Sequence, residues 1–274
     1  MTSELLQIAI DIAVQAGEKV MEIYQQGDFQ EYQKDDLSPV TSADIAANQV
    51  MTSQLQRLTP DIPIISEESE IKSLAEREHW LRYWLLDPID GTGEFIAASG
   101  DFAVNIALVE NGWPRIGVIH APAHNTLYFA EKNKGCFKRD EHGNTTSIQV
   151  AKYDGNRPLN IAVSRRQALA NVTQYLYDEF SYSHIPFGSC SLKSCLIAEG
   201  TADFYIRTGP TGEWDTGASQ IILEEAGGTI LDSEFNALSY NKRESLMNPD
   251  FIALGNQQIP WQQVIKPYRC KRDY

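Results

Sequence analysis

Residues 85–95 read Leu-Leu-Asp-Pro-Ile-Asp-Gly-Thr-Gly-Glu-Phe. An apolar run, the end of "RYWLLD" at 82–87, meets two aspartates three positions apart and then a Gly-Thr-Gly. Pro88 cannot donate to a β ladder, so a strand is expected to end at Asp87. An abrupt turn would then bring Asp87 and Asp90 to one side, with the main-chain carbonyl of Ile89 between them. Hard oxygens grouped in this way suit Mg²⁺. Gly91 and Thr92 are compatible with a helix start, whose free N–H groups attract a phosphate oxygen, and Gly91 lets the backbone approach such a ligand. The bland alternative is an Asp-Pro turn followed by an Asp-capped helix.

Other segments add carboxylates. "IISEES" places Glu67 and Glu68 directly after a short apolar strand; as an alternative, the same residues form an acidic first helical turn. In "GEWDTGASQIILEEAGG" Asp215 begins an apolar-periodic helix, either as its cap or as a further ligand. Asp44 stands three residues after Thr41 in "SPVTSADIAANQ", the pattern of a capping box with Asp in place of Glu.

Around these segments the chain divides into differently patterned halves. Leu5, Ile8, Ala9, Ile12, Ala13, Ala16, Val20 and Ile23 follow the three-and-four spacing of an amphipathic helix over 4–24. A second helix is expected from about "SPVTSAD" to Leu58. Strands are expected at 62–65, 82–87, "FAVNIALVENG" and "PRIGVIHAP", with Asn111-Gly112 as a hairpin turn, and "TLYFAEKNKGCF" forms another hairpin. Gly and Pro at 151–158 break the pattern. Beyond them, "LNIAVS" leads to a helical run at 167–179, "SHIPFG", a helix "SLKSCLIAEG", a strand "ADFYIR", a helix from Asp215 to Ala226 and a last strand "FIALG". This gives an N-terminal half, 1–152, of two helices and a mainly antiparallel sheet; an α/β half, 153–256; and a tail, 257–274, with basic residues Lys266, Arg269, Lys271 and Arg272.

Composition excludes several function classes. The 274 residues are 42% hydrophobic, enough for sizeable cores, and carry 23 basic against 37 acidic side chains, a net charge of -14. So acidic a chain does not suit a nucleic-acid polymer or a general anionic membrane surface, and an anionic small ligand would require local cations. The cysteines, Cys136, Cys190, Cys195 and Cys270, have no zinc-site spacing, which points to a reducing compartment. Charged residues interrupt the N-terminal apolar pattern, against a signal peptide or membrane span. A cytoplasmic location is expected.

Taken together, "DPIDGT" at 87–92, "SEES" at 66–69 and "EWDTGAS" at 213–219 resemble the three motifs of the inositol monophosphatase superfamily, over roughly residues 5–254. The stretches "SPVTSADIAANQVM", "RYWLLDPIDGTGEFI" and "GSCSLKSCLIAEGTADFYIR" are most similar to its bacterial 3'(2'),5'-bisphosphate nucleotidase branch. That branch usually carries Lys or a similar residue after "DGT"; Gly93 stands there instead.

The resemblance implies an α+β fold of layered α/β/α/β/α sugar-phosphatase type, with the site between the halves. It implies Mg²⁺ as cofactor, held by Glu67, Asp87, Asp90, Asp215 and the Ile89 carbonyl. Asp44, Glu67 and Thr92 would be catalytic, with Thr92 and Glu67 orienting the attacking water. Glu67, Ile89, Asp90, Gly91, Thr92 and Asp215 would also face the substrate, joined by Ser189 and Lys193 from "GSCSLKS". Lysines within helices are more commonly solvated, and His120, near a strand end, reads as structural. The implied reaction is hydrolysis of adenosine 3',5'-bisphosphate to AMP and phosphate, extending to 3'-phosphoadenosine 5'-phosphosulfate; the alternative is an inositol or other sugar monophosphate. The partner is therefore a phosphorylated small molecule, with no integral membrane association. The resemblance allows peripheral contact with the inner membrane and leaves oligomeric state open.

Overall fold

The computed structural model describes residues 2–34 and 38–268. Of the basic tail cluster, Arg269, Lys271 and Arg272 lie outside the described residues, as does Cys270. The fold is mixed α+β, with helices and sheets in alternating layers.

The outer layer is the helix pair Glu4–Gln26 and Ser42–Leu58. Ser3 caps the first helix by accepting the Leu6 N–H at 3.2 Å. Its buried face includes Leu6, Ala9, Ile10, Ile12, Ala13, Ala16 and Val20, so Leu6 and Ile10 join the expected stripe while Leu5, Ile8 and Ile23 sit at its margin. The stripe is wide because this helix touches both the second helix and the sheet beneath. Thr41 and Asp44 form the expected capping box at the start of the second helix.

Beneath lies a seven-stranded sheet in chain order: Ile64–Ser66, Arg82–Asp90, Ala103–Glu110, Trp113–Ala121, Thr126–Glu131, Cys136–Arg139 and Thr145–Ser147. The first pair is parallel and every later pair antiparallel. Asn111 and Gly112 both adopt positive φ, 54° and 79°, in the two-residue hairpin loop that their sequence predicts. The strand Thr145–Ser147 carries no apolar signal, being fully exposed, and sequence reading passes over it.

Helices Cys190–Ala198 and Glu213–Glu225 form the middle layer, and a five-stranded sheet lies behind them. Its order is Tyr182–Phe187, Leu159–Ser164, Phe204–Arg207, Phe251–Leu254 and Thr229–Asp232, parallel among the first three and antiparallel at the other end. One apolar cluster draws Leu85 and Ala107 from the first sheet together with Ile221 and Leu223 from the middle helices and Tyr205 and Ala253 from the second sheet. On the outer face, Ile259, Trp261, Val264 and Ile265 close a further core over Leu159, Ile161 and Phe204.

The helical run expected at 167–179 shrinks to Ala170–Thr173. Leu176 instead bridges Ile265, and Tyr177 N–H donates to the Val264 carbonyl at 3.0 Å. Tertiary pairing with the C-terminal segment overrides local helix propensity. A hairpin of Glu31–Gln33 and Pro39–Thr41 leads into the second helix.

Candidate active site

A bulge in the strand Arg82–Asp90 decides the site's geometry. Side chains alternate between faces along a strand, so residues three apart, such as Asp87 and Asp90, would point to opposite faces. Asp87 pairs with Asn105 and Asp90 with Ala103, so Pro88 and Ile89 together oppose the single residue Val104. The extra residue shifts the alternation by one and turns both carboxylates to one face. The expected strand end at Asp87 is thereby corrected: the bulge absorbs Pro88, whose missing N–H needs no ladder partner there, and pairing resumes at Asp90.

Asp215 joins them from the first turn of the helix Glu213–Glu225, where its Oδ2 accepts the Gly212 N–H at 2.7 Å. Capping and clustering are thus both true of Asp215. Carboxylate oxygens of Asp87, Asp90 and Asp215 lie within 4.8 Å of one another.

The three carboxylates are held differently. Asp90 accepts from Ser189 Oγ at 2.6 Å, from the N–H groups of Cys190 and Ser191 at 3.0 and 2.6 Å, and from Ser191 Oγ. Both oxygens of Asp87 are buried and accept no hydrogen bond from the described residues. Burial, then the charges of Glu67, Asp90 and Asp215, push the Asp87 carboxyl well above the usual range. Burial, then Asp90 and Glu67, do the same to Asp215. Left to themselves, these groups repel one another in a site that hydrates them poorly. A hard divalent cation resolves both problems, and an all-oxygen, anionic donor set is the kind such an ion takes. The triad therefore fits a metal ion.

Glu67 lines the same cleft but stands outside the triad. Its Oε1 accepts Lys34 Nζ at 2.7 Å, and Glu68 shares the same ammonium. Burial opposes the Lys34 charge, yet Glu67 and Glu68 outweigh it and hold its pKa above the ordinary value. Lys34 escapes sequence reading because only the pairing of Glu31–Gln33 with Pro39–Thr41 lays it over "SEES".

Thr92 opens the short helix Thr92–Ile96, preceded by Gly91 at φ 95°, a left-handed turn that favours glycine. Its Oγ1 directs one proton between Asp44 Oδ1 at 3.0 Å and the Ile89 carbonyl at 3.2 Å. Asp44 is buried and also accepts from the Thr41 N–H and hydroxyl, at 2.8 and 2.6 Å. Burial raises its carboxyl, and the bonds from Thr41 and Thr92 counteract part of that rise. With its proton committed, Thr92 keeps lone pairs to accept from a water.

A cleft of about 490 Å³ connects these groups, with Glu67, Asp87, Ile89, Asp90, Gly91, Thr92, Ser189, Lys193 and Asp215 all on its wall. Ser189 reaches it while spending its hydroxyl on Asp90 and capping the helix Cys190–Ala198 through the Leu192 N–H. Lys193 corrects the expectation of a solvated helical lysine. It is 2% exposed, donates to the Gly188 and Ser189 carbonyls and lies over the Tyr205 ring. Burial pushes its ammonium down to about 8. The helix is buried nearly all round, so no solvated face remains for the lysine to occupy. His120 is structural as expected, with Nδ1 on the Ala13 carbonyl at 3.1 Å.

Two further cleft cations, Arg166 and Arg207, carry no motif in the sequence. Arg166 follows Ser164 at the carboxyl end of a parallel strand, a place where α/β folds bind ligands, and that position was the available signal.

The layered α+β fold and the buried carboxylate triad in its cleft fit a metal-dependent phosphatase. The profile of the inositol monophosphatase family matches residues 1–264, and the chain belongs to that family. It is 43% identical, over 96% of its length and 97% of the relative's, to the 3'(2'),5'-bisphosphate nucleotidase CysQ of Aggregatibacter actinomycetemcomitans. The CysQ of Haemophilus influenzae is 39% identical over 97% of this chain and 98% of the relative. Among solved structures, CysQ from Bacteroides thetaiotaomicron superposes with a TM-score of 0.80 at 35% identity, covering 92% of this chain and 97% of that one.

Proposed function

We propose that this chain is a Mg²⁺-dependent 3'(2'),5'-bisphosphate nucleotidase that converts adenosine 3',5'-bisphosphate to AMP and phosphate, with 3'-phosphoadenosine 5'-phosphosulfate as a second substrate of the same class. The observation that carries the reading is the orphaned Asp87 carboxylate beside Asp90 and Asp215, in a cleft whose wall includes Thr92, the donor to Asp44. The substrate class rests on the relatives named above, which bear that activity in their names and align along nearly the whole chain.

Asp87, Asp90, Asp215, Glu67 and the Ile89 carbonyl would hold the ions. When bound, Mg²⁺ supplies Lewis-acid neutralisation of the phosphate and leaving oxygens and lowers the pKa of water. The protein's own share is positioning. Asp44 accepts the hydrogen bond of the Thr92 hydroxyl, so the Thr92 oxygen is free to accept from the attacking water and align it, with Glu67 on the same wall. Gly91 gives the ligand close approach to the backbone, and Ser189 fixes the orientation of Asp90. Residues 1–152 contribute most of these groups, 153–256 contribute Asp215 and Ser189, and we read the cleft as the junction of two such halves. The cytoplasm is the expected location; among the described residues, no helix is long and apolar enough to cross a membrane.

Phosphate release from adenosine 3',5'-bisphosphate, AMP and inositol monophosphate, each with and without Mg²⁺, tests the reading. It requires Mg²⁺-dependent release that is fastest from the bisphosphate. Faster release from inositol monophosphate would reject the substrate, and release undiminished by chelation would reject the metal.

A further inference from the structure

Gly17 leaves a gap in the first helix, and His120 from the strand Trp113–Ala121 fills it. A Cβ built on Gly17 would fall 2.3 Å from Nδ1 of His120 and 3.1 Å from the Cβ of Pro122, so only glycine lets the helix come this close. Beside this contact lies a cavity of about 250 Å³ that shares no lining residue with the acidic cleft. It is smaller than the roughly 300–1,000 Å³ of sites for drug-sized ligands, so its occupant is small. Three groups on its wall have hydrogen-bonding capacity to spare. His120 is 6% exposed, and its Nδ1 carries the proton because the Ala13 carbonyl can only accept. Burial above all, aided by the Arg139 charge, lowers its pKa and favours the neutral ring. Nε2 is therefore an acceptor, and it has no hydrogen-bond partner among the described residues. Arg139 lies over the Phe129 ring, 5.9 Å from the centroid, and its guanidinium makes no hydrogen bond or ion pair with the described residues. Glu18, exposed on the rim, makes none either.

These groups specify complementary chemistry. A free guanidinium fork matches one carboxylate. Glu18 and Asp140 on the same wall repel a multiply charged anion such as phosphate, and Asp140 is already committed to the N–H groups of His142 and Asn144. An acceptor nitrogen beside a carboxylate suits an ammonium, which offers three donors and accepts nothing. Val14, Met21 and Leu127 add an apolar wall for a hydrocarbon chain. We propose that this cavity binds a free α-amino acid with an aliphatic side chain, its carboxylate on Arg139 and its ammonium shared by Glu18 and His120 Nε2. The site is separate from the acidic cleft, and its ligand does not depend on the nucleotidase reading.

The test is calorimetric titration of the full chain with L-leucine, with 4-methylpentanoate, which lacks the ammonium, and with 3-methylbutylamine, which lacks the carboxylate. Side-chain NMR of the histidines follows His120 in the same titrations. L-Leucine should bind saturably, with a Kd of about 1 mM or below, and should shift the His120 Nε2 signal. Each truncated probe should bind about tenfold or more weakly than leucine. Arg139→Gln should weaken leucine binding about ten- to hundredfold and Glu18→Gln about tenfold, as expected for losing charge-assisted hydrogen bonds. Melting curves confirm that the variants are folded, and the exposed Glu18 is the position at which substitution disturbs the fold least. Absence of saturable leucine binding, an unmoved His120 signal, or wild-type affinity in both variants overturns the site. Binding of 4-methylpentanoate as tight as that of leucine overturns the amino-acid class.

Discussion

Asp87→Asn separates a site built for metal from a merely acidic surface, because it makes opposite predictions with and without Mg²⁺. The triad oxygens lie within 4.8 Å of one another, and Asp87 has no hydrogen bond to lose. At an effective dielectric constant near 20, two unit charges at that separation repel by ~3.5 kcal/mol. Proton uptake by the raised Asp87 carboxyl already relieves part of this, so removing the charge should stabilise the metal-free protein by about 2 kcal/mol, or roughly 4–8 °C in Tm. The new amide can donate to Asp90 or Asp215 and adds little volume. With Mg²⁺ at a hundred times its Kd, the wild type gains about 2.7 kcal/mol while the variant gains almost nothing, so the order of stability reverses. Thermal melting in chelator and in Mg²⁺, alongside phosphate release, is the assay. A variant that melts below the wild type in chelator, yet gains as much from Mg²⁺, would refute the reasoning.

Three further outcomes follow from the same geometry. Asp90→Asn should lose about 1–3 kcal/mol of stability even in chelator, because Asp90, unlike Asp87, accepts bonds from Ser189, Cys190 and Ser191; denaturant titration measures this, and Mg²⁺ affinity by calorimetry should fall with it. Thr92→Val should lower kcat by about 10²–10⁴-fold with little change in Mg²⁺ affinity, whereas Thr92→Ser keeps most activity; steady-state kinetics decide. Asp87 and Asp215 hold protons more tightly folded than unfolded, so their contribution is present at acid pH and is lost as pH rises from the ordinary carboxylate range through their raised folded values. Mg²⁺ takes the place of those protons. The Tm gain from Mg²⁺ should therefore grow between pH 5 and pH 8, as a pH series of melting curves would show.

Much of this site is legible in sequence because its signals are local. "DPIDGT", "SEES" and "EWDTGAS" each put a carboxylate at the end of a strand or the start of a helix, and the Asn111-Gly112 hairpin declares itself. The bulge is hidden from the sequence, since Pro88 announces a broken ladder but not that pairing resumes opposite Ala103. Asp44 shows its capping box in "SPVTSAD", but its bond to Thr92 spans 48 positions and exists only once two elements pack. Lys34 and Arg166 are hidden for the same reason: a charged residue in a polar segment has no local mark of what it will face. Lys193 was legible in principle, because its neighbours in "SCSLKSCLIA" are small or apolar on every side, which leaves a lysine no water-facing stripe.

The most direct test of the central claim is an anomalous difference map from crystals soaked in Mn²⁺, which stands in for Mg²⁺ on hard oxygen ligands. The account predicts a peak at coordination distance from Asp87, Asp90 and Asp215 together, absent in Asp87→Asn. Peaks only elsewhere on the acidic surface, with the triad left as it stands without metal, would contradict it.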